Sequence, residues 1–361
     1  MASTKTTESN LFGLYVHWPY CIHKCPYCDF ASSVCPHPDE ELLLKTYMRN
    51  IDFFPDNRPL TSLFFGGGTP SLMSLSFFEK LMNAIRQHYS LAPDIEVSIE
   101  VNPDTVDKNK LKGFKNLGIN RLSIGVQSLN EKDLKFLGRT HSVKRAIDCI
   151  EEAKSIFNNI NIDLIYARPH QSLKAWEKEL LQALRFNLPH YSLYQLTIEE
   201  NTVFERKGQK AASDVQARRL YKLTDEIMEQ YKRPAYEVSN YAKKGFECRH
   251  NMTYWLGGDY IGIGPAAHGR LGLVATENPR SVPLWIKTPP RTETLSVKER
   301  NLEKLLMGLR LRQHGISPQN IVPSKIQKAT QKGWIKIKND KIIPTQEGIL
   351  MLNQLILLLA D

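Results

Sequence analysis

Residues 11–28 run Leu11-Phe-Gly-Leu-Tyr-Val-His-Trp-Pro-Tyr-Cys21-Ile-His-Lys-Cys25-Pro-Tyr-Cys28, an apolar, strand-like stretch that leads into three of the chain's six cysteines. Thiolates at this spacing can surround one soft-metal centre, and they select iron–sulfur clusters, zinc or copper(I) over hard cations. A closed zinc site needs four ligands, often in two separated pairs, and the sequence has no second pair. Three cysteines therefore indicate an open site, such as a four-iron cluster with one iron free for a small ligand. The alternatives are a zinc site completed by His23 and three cysteines that are merely buried.

Length and composition indicate a globular protein of two folded units. The 361 residues are 42% hydrophobic and 24% charged, which excludes the disordered and fibrous classes. Residues 1–10 form a polar tail without the apolar core of a secretory signal, and the longest apolar stretch, Ile349 to Ala360, is too short to span a bilayer. The three remaining cysteines are scattered singly, as expected in a reducing compartment. We predict a cytoplasmic location.

The net charge of +10 can attract nucleic acid, an anionic membrane surface or acidic substrates such as a propionate-bearing porphyrin. The basic residues are spread along the chain, without an arginine-rich block or a run of interleaved aromatic residues. This distribution argues against nucleic acid as a partner. Peripheral contact with a membrane surface remains compatible with it.

Strand-like and helix-like segments alternate through the first 200 residues, which predicts a parallel sheet. The predicted strands are Leu14 to Trp18, Ser62 to Phe65, Ile95 to Val101, Arg121 to Val126, Ile160 to Tyr166 and Tyr191 to Ile198. The predicted helices are Glu40 to Phe54, Phe77 to Tyr89, Asp107 to Leu117, Val143 to Phe157 and Trp176 to Phe186. Right-handed crossovers curl such a sheet, so the fold class is α/β, a partial (β/α)6 TIM-like barrel.

Polar residues follow the ends of these strands, where barrels place their chemistry. Gly66-Gly-Gly-Thr-Pro70 ends the second strand; its glycines either let a ligand approach the backbone or form a tight turn. No Gly-Lys-Ser/Thr follows, so a phosphate loop is not predicted. Glu100 and Asp163 are carboxylates in apolar strands and need a donor, either from a ligand or from an arginine such as Arg139 in a structural ion pair. Gln127 ends the fourth strand.

The second half of the chain is predicted to extend the barrel and then to form a small domain. A helix from Asp214 to Tyr231 precedes His250, which lies among aromatic residues and is either an axial haem ligand or a structural histidine. The C-terminal pattern is helix, helix, hairpin, helix: Val297 to Gly315, Ile326 to Lys332, a hairpin turning at Asn339-Asp340, and about Gln346 to Leu359. This order is winged-helix-like, an α+β domain, but its candidate recognition helix has lysines and no arginine. We interpret the domain as a docking or lid module, with DNA binding as the alternative.

These predictions divide the chain into four parts: a tail (1–10), the partial barrel (11–200), a barrel extension that contains the His250 motif (201–290) and the C-terminal domain (291–361).

The cysteine motif, with Tyr27 before the last cysteine, is similar to the signature of the radical S-adenosylmethionine (radical-SAM) superfamily, in which the free iron chelates the amino acid end of SAM. Over most of residues 11 to 350 the chain resembles the oxygen-independent coproporphyrinogen III oxidase group and, within it, the radical-SAM haem chaperone (HemW) branch. The motifs that carry this resemblance are Tyr15-x-His17-x-Pro19, Gly66-Gly-Gly-Thr-Pro70, Glu100-x-Asn102-Pro103, Gly125-Val-Gln127-Ser128, Leu137-Gly-Arg139-Thr-His141 and Asn161-Ile-Asp163-Leu-Ile-Tyr166.

The resemblance implies that Cys21, Cys25 and Cys28 ligate a [4Fe-4S] cluster. It further implies a SAM site formed by Tyr15, Tyr27, Gly67, Gly68, Thr69, Glu100, Gln127, Arg139 and Asp163. Where the family tends to have Gly-Leu after the fifth strand, this chain has Ala167-Arg168, so the local shape of the rim is expected to differ.

Two features distinguish the branches. The oxidases carry a fourth cysteine two places after the third, where this chain has Phe30; the chaperones carry an His-Asn-x-x-Tyr-Trp motif, present here as His250-Asn-Met-Thr-Tyr-Trp255. The resemblance therefore implies a SAM-binding haem chaperone in which His250 contacts haem, with coproporphyrinogen III oxidation as the alternative function. It also implies haem-accepting proteins and an electron donor for the cluster as partners, and it allows a haem-linked homodimer.

Overall fold

The structure, a computed structural model, describes residues 11–319 and 321–360, so the predicted tail at residues 1–10 lies outside the described residues. The strands in chain order are β1 (Phe12–Trp18), β2 (Tyr20–Cys21), β3 (Ser33–Val34), β4 (Leu60–Gly67), β5 (Leu91–Val101), β6 (Arg121–Gln127), β7 (Asn159–Tyr166), β8 (His190–Gln195), β9 (Asn240–Ala242), β10 (Asp259–Ile263), β11 (His268–Leu271), β12 (Val274–Glu277), β13 (Arg291–Thr294), β14 (Ile335–Lys338) and β15 (Lys341–Pro344).

The helices in chain order are α1 (Glu40–Asp52), α2 (Leu75–His88), α3 (Lys108–Asn116), α4 (Glu131–Phe136), α5 (Val143–Lys154), α6 (Leu173–Leu184), α7 (Val203–Arg206), α8 (Asp214–Gln230), α9 (Arg249–Trp255), α10 (Val282–Lys287), α11 (Val297–Gly308), α12 (Pro323–Gln331), α13 (Gln346–Leu350) and α14 (Leu352–Ala360). Many begin at a side chain that accepts a backbone hydrogen bond; Ser74, Ser142 and Ser172 cap α2, α5 and α6 in this way. Such caps satisfy amide groups that the helix itself leaves unpaired.

The large sheet has the order β13-β12-β11-β10-β1-β4-β5-β6-β7-β8-β9. Its central strands are parallel from β10 to β8, and the six predicted strands stand there in the predicted order, which confirms the α/β barrel-like fold. They are strongly apolar because helices cover one face while the barrel interior covers the other. In β1, for example, six of seven residues are buried.

The edges of the sheet differ from the prediction. β10 pairs in parallel with β1, and β11, β12 and β13 continue that edge antiparallel, while β9 closes the other edge on β8. The glycine-rich segment 257–269 therefore contributes strands, which its residue pattern did not indicate; Gly262 lies directly against the backbone of His268. β13 lies beyond residue 290, so the sheet extends past the boundary predicted there.

The C-terminal unit has its own apolar core, formed by Leu309, Ile321, Ala329, Ile335, Ile342, Leu352, Leu355 and Leu359. The predicted hairpin turn is confirmed, because Asn339 and Asp340 both have positive φ, as a two-residue turn of this kind requires. One predicted helix of this unit was too long, and another is divided in two. α11 ends at Gly308, which packs against Ile316, and the last helix is interrupted at Met351. In the part of the chain that the structure describes, no helix combines the length and hydrophobicity needed to cross a membrane.

Candidate functional site

A cavity of about 410 Å³ opens at the carboxyl ends of the central strands. It brings together most of the predicted site residues, which lie far apart in the sequence. Those that line it are Cys21, Cys25, Tyr27, Cys28, Gly67, Gly68, Thr69, Glu100, Gln127, Arg139 and Asp163. Tyr15 and His250 line a separate cavity of about 160 Å³ deeper in the barrel. Glu100, Ser123, Asp163 and Tyr194 line both cavities, so the two spaces are neighbours.

The cysteine loop is held in place by backbone contacts from distant segments. The amide of Phe204 donates to the carbonyl of Pro26 at 2.9 Å, and Gly138, with φ of +67°, lies directly against the Pro26 ring. Within the loop, the Lys24 ammonium group donates to the carbonyls of Phe30 and Ser32 at 3.1 and 2.9 Å. These contacts fix the loop on the mouth of the barrel.

The three cysteines differ in their surroundings. Cys21 is buried at the end of β2, whereas Cys25 and Cys28 are half-buried and face the cavity. Burial raises the pKa of the Cys28 thiol, and the nearby Cys25 and Cys21 add to this effect. A thiol with a raised pKa keeps its proton at neutral pH until a metal ion replaces it.

The glycine stretch after β4 meets the cysteine loop. A methyl group at Gly68 would lie 2.6 Å from the carbonyl oxygen of Tyr20 and 3.0 Å from the sulfur of Cys21. Gly67 has φ of +112°, and its amide donates to the Glu100 carboxyl at 3.1 Å. The glycines are thus needed for close packing, and the backbone that follows lies on the cavity wall.

Arg139 connects the cysteine loop with the strand ends. Its guanidinium donates to the Cys25 sulfur at 3.4 Å, to the Asn102 side chain at 2.6 Å and to the carbonyl of Gly125 at 3.0 Å. Its Nε is buried and has no acceptor among the described residues. This arginine therefore supports a cysteine thiolate electrostatically and retains one donor for a ligand.

Two carboxyl groups face the same cavity. Burial and the nearby Asp163 raise the pKa of Glu100 from 4.5 to about 8. The pKa of Asp163 is raised as well, mainly by burial, although it accepts from Asn161 at 2.7 Å and from Ser123 at 3.3 Å. Buried carboxyl groups with raised pKa values favour a ligand that brings an ammonium group or several hydroxyl donors.

Gln127 stands at the end of β6 with φ of +66°. This conformation is rare for residues other than glycine, and such strain concentrates at ligand sites. Several residues that line the cavity were not among the predicted site residues, and three of them carry polar side chains near the two carboxyl groups or Arg139: Asn102, Ser123 and Tyr194. Asn102 follows the third predicted strand, so its position could have indicated that it lines the cavity. For Ser123 and Tyr194 the same conclusion requires the register of the strands, which the sequence does not give.

Tyr15 lies inside the barrel rather than on its rim. Its hydroxyl is 3.0 Å from Nδ1 of His17, and Nε2 of His17 is 2.9 Å from the carbonyl oxygen of Ala31, just beyond the cysteine loop. The Tyr15 ring stacks on Phe64 and on His250. Tyr15 therefore connects the cysteine loop with α9.

His250 is enclosed in the barrel, with 2% of its surface exposed. Its Nδ1 is 3.0 Å from the Ser62 hydroxyl, its Nε2 is 2.7 Å from the Tyr254 hydroxyl, and its ring stacks on Phe64. Burial, followed by the charge of Arg121, lowers its pKa to about 3. In this arrangement both ring nitrogens are engaged, so the predicted haem contact at His250 stays a prediction.

The cavity fits the two cofactors that the sequence suggested. Among the described residues, no three His, Cys, Asp or Glu side chains converge on a single ion. A four-iron cluster has a different requirement, because each cysteine binds a separate iron and the thiols surround a volume. The unpaired donor of Arg139 matches the carboxylate of SAM, and the carboxyl groups of Glu100 and Asp163 match its ammonium and ribose groups.

Comparison with known proteins identifies the family. A model of the radical SAM superfamily matches residues 15–182. "Heme chaperone HemW" of Buchnera aphidicola (subsp. Schizaphis graminum) is 35% identical over 96% of this chain and 98% of the relative. The chain belongs to the HemW family of radical SAM proteins.

Other relatives of the HemW family extend the comparison. "Heme chaperone HemW" of Escherichia coli is 39% identical over 72% of this chain and 70% of its own length. The zebrafish (Danio rerio) "Radical S-adenosyl methionine domain-containing protein 1, mitochondrial" is 35% identical over 85% of this chain and 74% of its own length. A solved structure of coproporphyrinogen III oxidase (HemN) from Escherichia coli superposes with a TM-score of 0.83 over 98% of this chain and 91% of its own, at 20% identity. That likeness establishes the fold, including the C-terminal unit.

Proposed function

We propose that this protein is a haem chaperone: it binds haem and delivers it to haem-requiring proteins. The observation that carries the proposal is the alignment with a curated haem chaperone over nearly the whole length of both chains at 35% identity. The coproporphyrinogen oxidase shares the fold at only 20% identity, and fold alone does not determine function.

Within this function, the barrel mouth holds a [4Fe-4S] cluster and SAM. Cys21, Cys25 and Cys28 are the cluster ligands, because they are the cysteines that line the cavity. Arg139 and the Thr69 side chain would bind the amino acid end of SAM, and Glu100 and Asp163 would accept from its ammonium or ribose groups; all four residues line the cavity. The bound cluster would supply the electron for reductive cleavage of SAM. The chain's own residues bind, orient and enclose the ligand.

The second candidate function is oxidative decarboxylation of coproporphyrinogen III. The overall superposition favours it at the level of fold. Phe30 stands where the oxidases carry a fourth cysteine, and its side chain is 56% exposed on the cysteine loop, so this position offers no further thiolate to the site. This difference favours the chaperone function.

The test begins with anaerobic reconstitution with iron and sulfide, followed by haem titration monitored by absorbance. The protein is compared with a triple alanine variant at Cys21, Cys25 and Cys28. We expect stoichiometric haem binding by the wild type and loss of the cluster absorbance in the variant. Haem-loaded protein should then activate an apo haem enzyme faster than an equal amount of free haem does. Rescue of a strain that lacks coproporphyrinogen oxidase would overturn the chaperone proposal in favour of the second function.

The remaining predictions about partners belong to this proposal. We infer an electron donor for the cluster and haem-accepting proteins in the cytoplasm, with peripheral membrane contact supported by the net charge of +10. A haem-linked homodimer rests on family analogy. For His250 to ligate iron, one of its bonds to Ser62 or Tyr254 has to break.

A further inference from the structure

A groove of about 590 Å³ lies between the end of α9, helix α11 and the C-terminal unit. Its volume falls within the roughly 300–1,000 Å³ of typical ligand sites. Apolar side chains form much of its wall: Trp255, Leu302, Leu305, Ile316 and Leu359. The groove lies outside the barrel mouth and shares none of the residues assigned to the cluster or SAM.

The rim of the groove is positively charged. Lys298, Lys304 and Lys341 line it, and no carboxylate is found among its described lining residues. Lys298 and Lys304 are exposed on α11, and Lys304 lays its aliphatic stem against Gly257. A lysine in this position covers apolar surface with its stem and presents its ammonium group to a ligand.

The acidic residues Glu299 and Glu303 of α11 are engaged elsewhere and do not pair with Lys298 or Lys304. The Glu303 carboxylate is paired with Arg270 at 2.8 Å and with Arg300 at 3.2 Å. Glu299 accepts from the Ser296 amide at 2.7 Å in the capping box of the helix. Lys298 and Lys304 therefore give the α11 side of the groove a positive charge.

We propose that this groove is the haem-binding site, holding the apolar macrocycle against α11 and the propionates beside Lys298 and Lys304. The inference rests on the proposed function and adds a location to it. A porphyrin with two carboxylates matches an apolar wall with a cationic rim in both shape and charge. Trp255, in the wall, belongs to the same short helix as His250.

The lining predicts how haem is held there. None of the described residues that line the groove is a histidine, cysteine or methionine, the side chains that ligate haem iron most often. Haem binding in the groove therefore depends on contacts with the porphyrin ring and the propionates, not on a bond to the iron. It follows that iron-free protoporphyrin IX binds about as tightly as haem.

The experiment compares the full chain with a Lys298→Glu/Lys304→Glu variant and with a matched control, Lys174→Glu/Lys178→Glu, which reverses two exposed charges on α6. Haem and iron-free protoporphyrin IX are titrated separately, by absorbance and by fluorescence, at two salt concentrations. We expect the α11 variant to bind both porphyrins roughly tenfold more weakly and to lose the salt dependence of binding, while the control matches the wild type.

The outcomes separate the inference from the proposed function. Haem binding that is equal in wild type and the α11 variant overturns the groove as the site but leaves the haem chaperone proposal intact. Binding of haem without binding of the iron-free ring also overturns the groove and favours ligation through iron, for example at His250. If the wild type binds no haem, the proposed function fails, and the inference fails with it.

Discussion

Replacing Glu100 with glutamine should stabilise the ligand-free protein and weaken SAM binding. The pKa of Glu100 is raised from 4.5 to about 8 by burial and by Asp163. Below pH 4.5 this carboxyl is protonated in both the folded and the unfolded chain and has no effect on stability. Between pH 4.5 and 8 the unfolded chain releases the proton while the folded chain retains it, so stability falls as the pH rises.

Each pH unit in that window lowers the free energy of unfolding by about 1.4 kcal/mol, which accumulates to about 4 kcal/mol at pH 8. A glutamine can still accept the bond from the Gly67 amide, but it has no proton to lose. We expect Glu100→Gln to raise the free energy of unfolding by about 4 kcal/mol at pH 8 and by nearly nothing at pH 4.5. SAM affinity should fall, because the carboxylate that meets the ligand is gone.

Urea unfolding of the ligand-free protein at half-unit steps from about pH 4.5 to 8.5 measures this directly. The control is Glu177→Gln, which removes an exposed carboxylate on α6. A gain at pH 8 that also appears in the control, or one of equal size at every pH, would refute the argument that burial of Glu100 is responsible.

Three further changes test other parts of the site. Gly68→Ala places a methyl group 2.6 Å from the carbonyl of Tyr20, so we expect about 1–3 kcal/mol of lost stability and less iron after reconstitution, measured by urea unfolding and iron assay. Arg139→Lys keeps the charge but loses the planar donor fork, so SAM should bind about tenfold more weakly in equilibrium dialysis. His250→Ala removes two buried hydrogen bonds and a stacked ring; unfolding should require about 3 kcal/mol less, whereas exposed His37→Ala should have no effect.

Each of these three predictions would be contradicted by a specific result. Full iron content with unchanged stability in Gly68→Ala would mean that the two loops are not packed as described. Equal SAM affinity in Arg139→Lys would remove the guanidinium from the binding site. A His250→Ala variant as stable as the wild type would show that the ring is not held inside the barrel.

The central barrel could be predicted from the sequence because its strands are long, apolar and separated by helices with clear periodicity. β1, β4 and β6 begin or end within three residues of their predicted limits. The convergence of the cysteines, Glu100 and Asp163 followed from the rule that parallel strands present their carboxyl ends at one edge.

The sheet edges and the barrel interior could not be predicted in the same way. Strands such as β11 and β12 have four residues each, and their pairing depends on contacts that arise only in the folded chain. The position of His250 depends on Gly13, whose missing side chain leaves room for the imidazole against β1. Gly13 and His250 are separated by more than 200 residues, so their contact leaves no local pattern in the sequence.

The contacts of His17 fix the direction of the hydrogen bonds that join Tyr15, His17 and Ala31. A carbonyl oxygen only accepts, so Nε2 of His17 must carry the proton that it shares with Ala31. Burial lowers the pKa of His17, so the ring is neutral, its Nδ1 has a lone pair, and the Tyr15 hydroxyl must be the donor to it. The tautomer of one histidine is thus set by the backbone beside the cysteine loop. If that loop moves away from His17, the ring becomes free to change tautomer, and the Tyr15 proton can then turn elsewhere in the barrel.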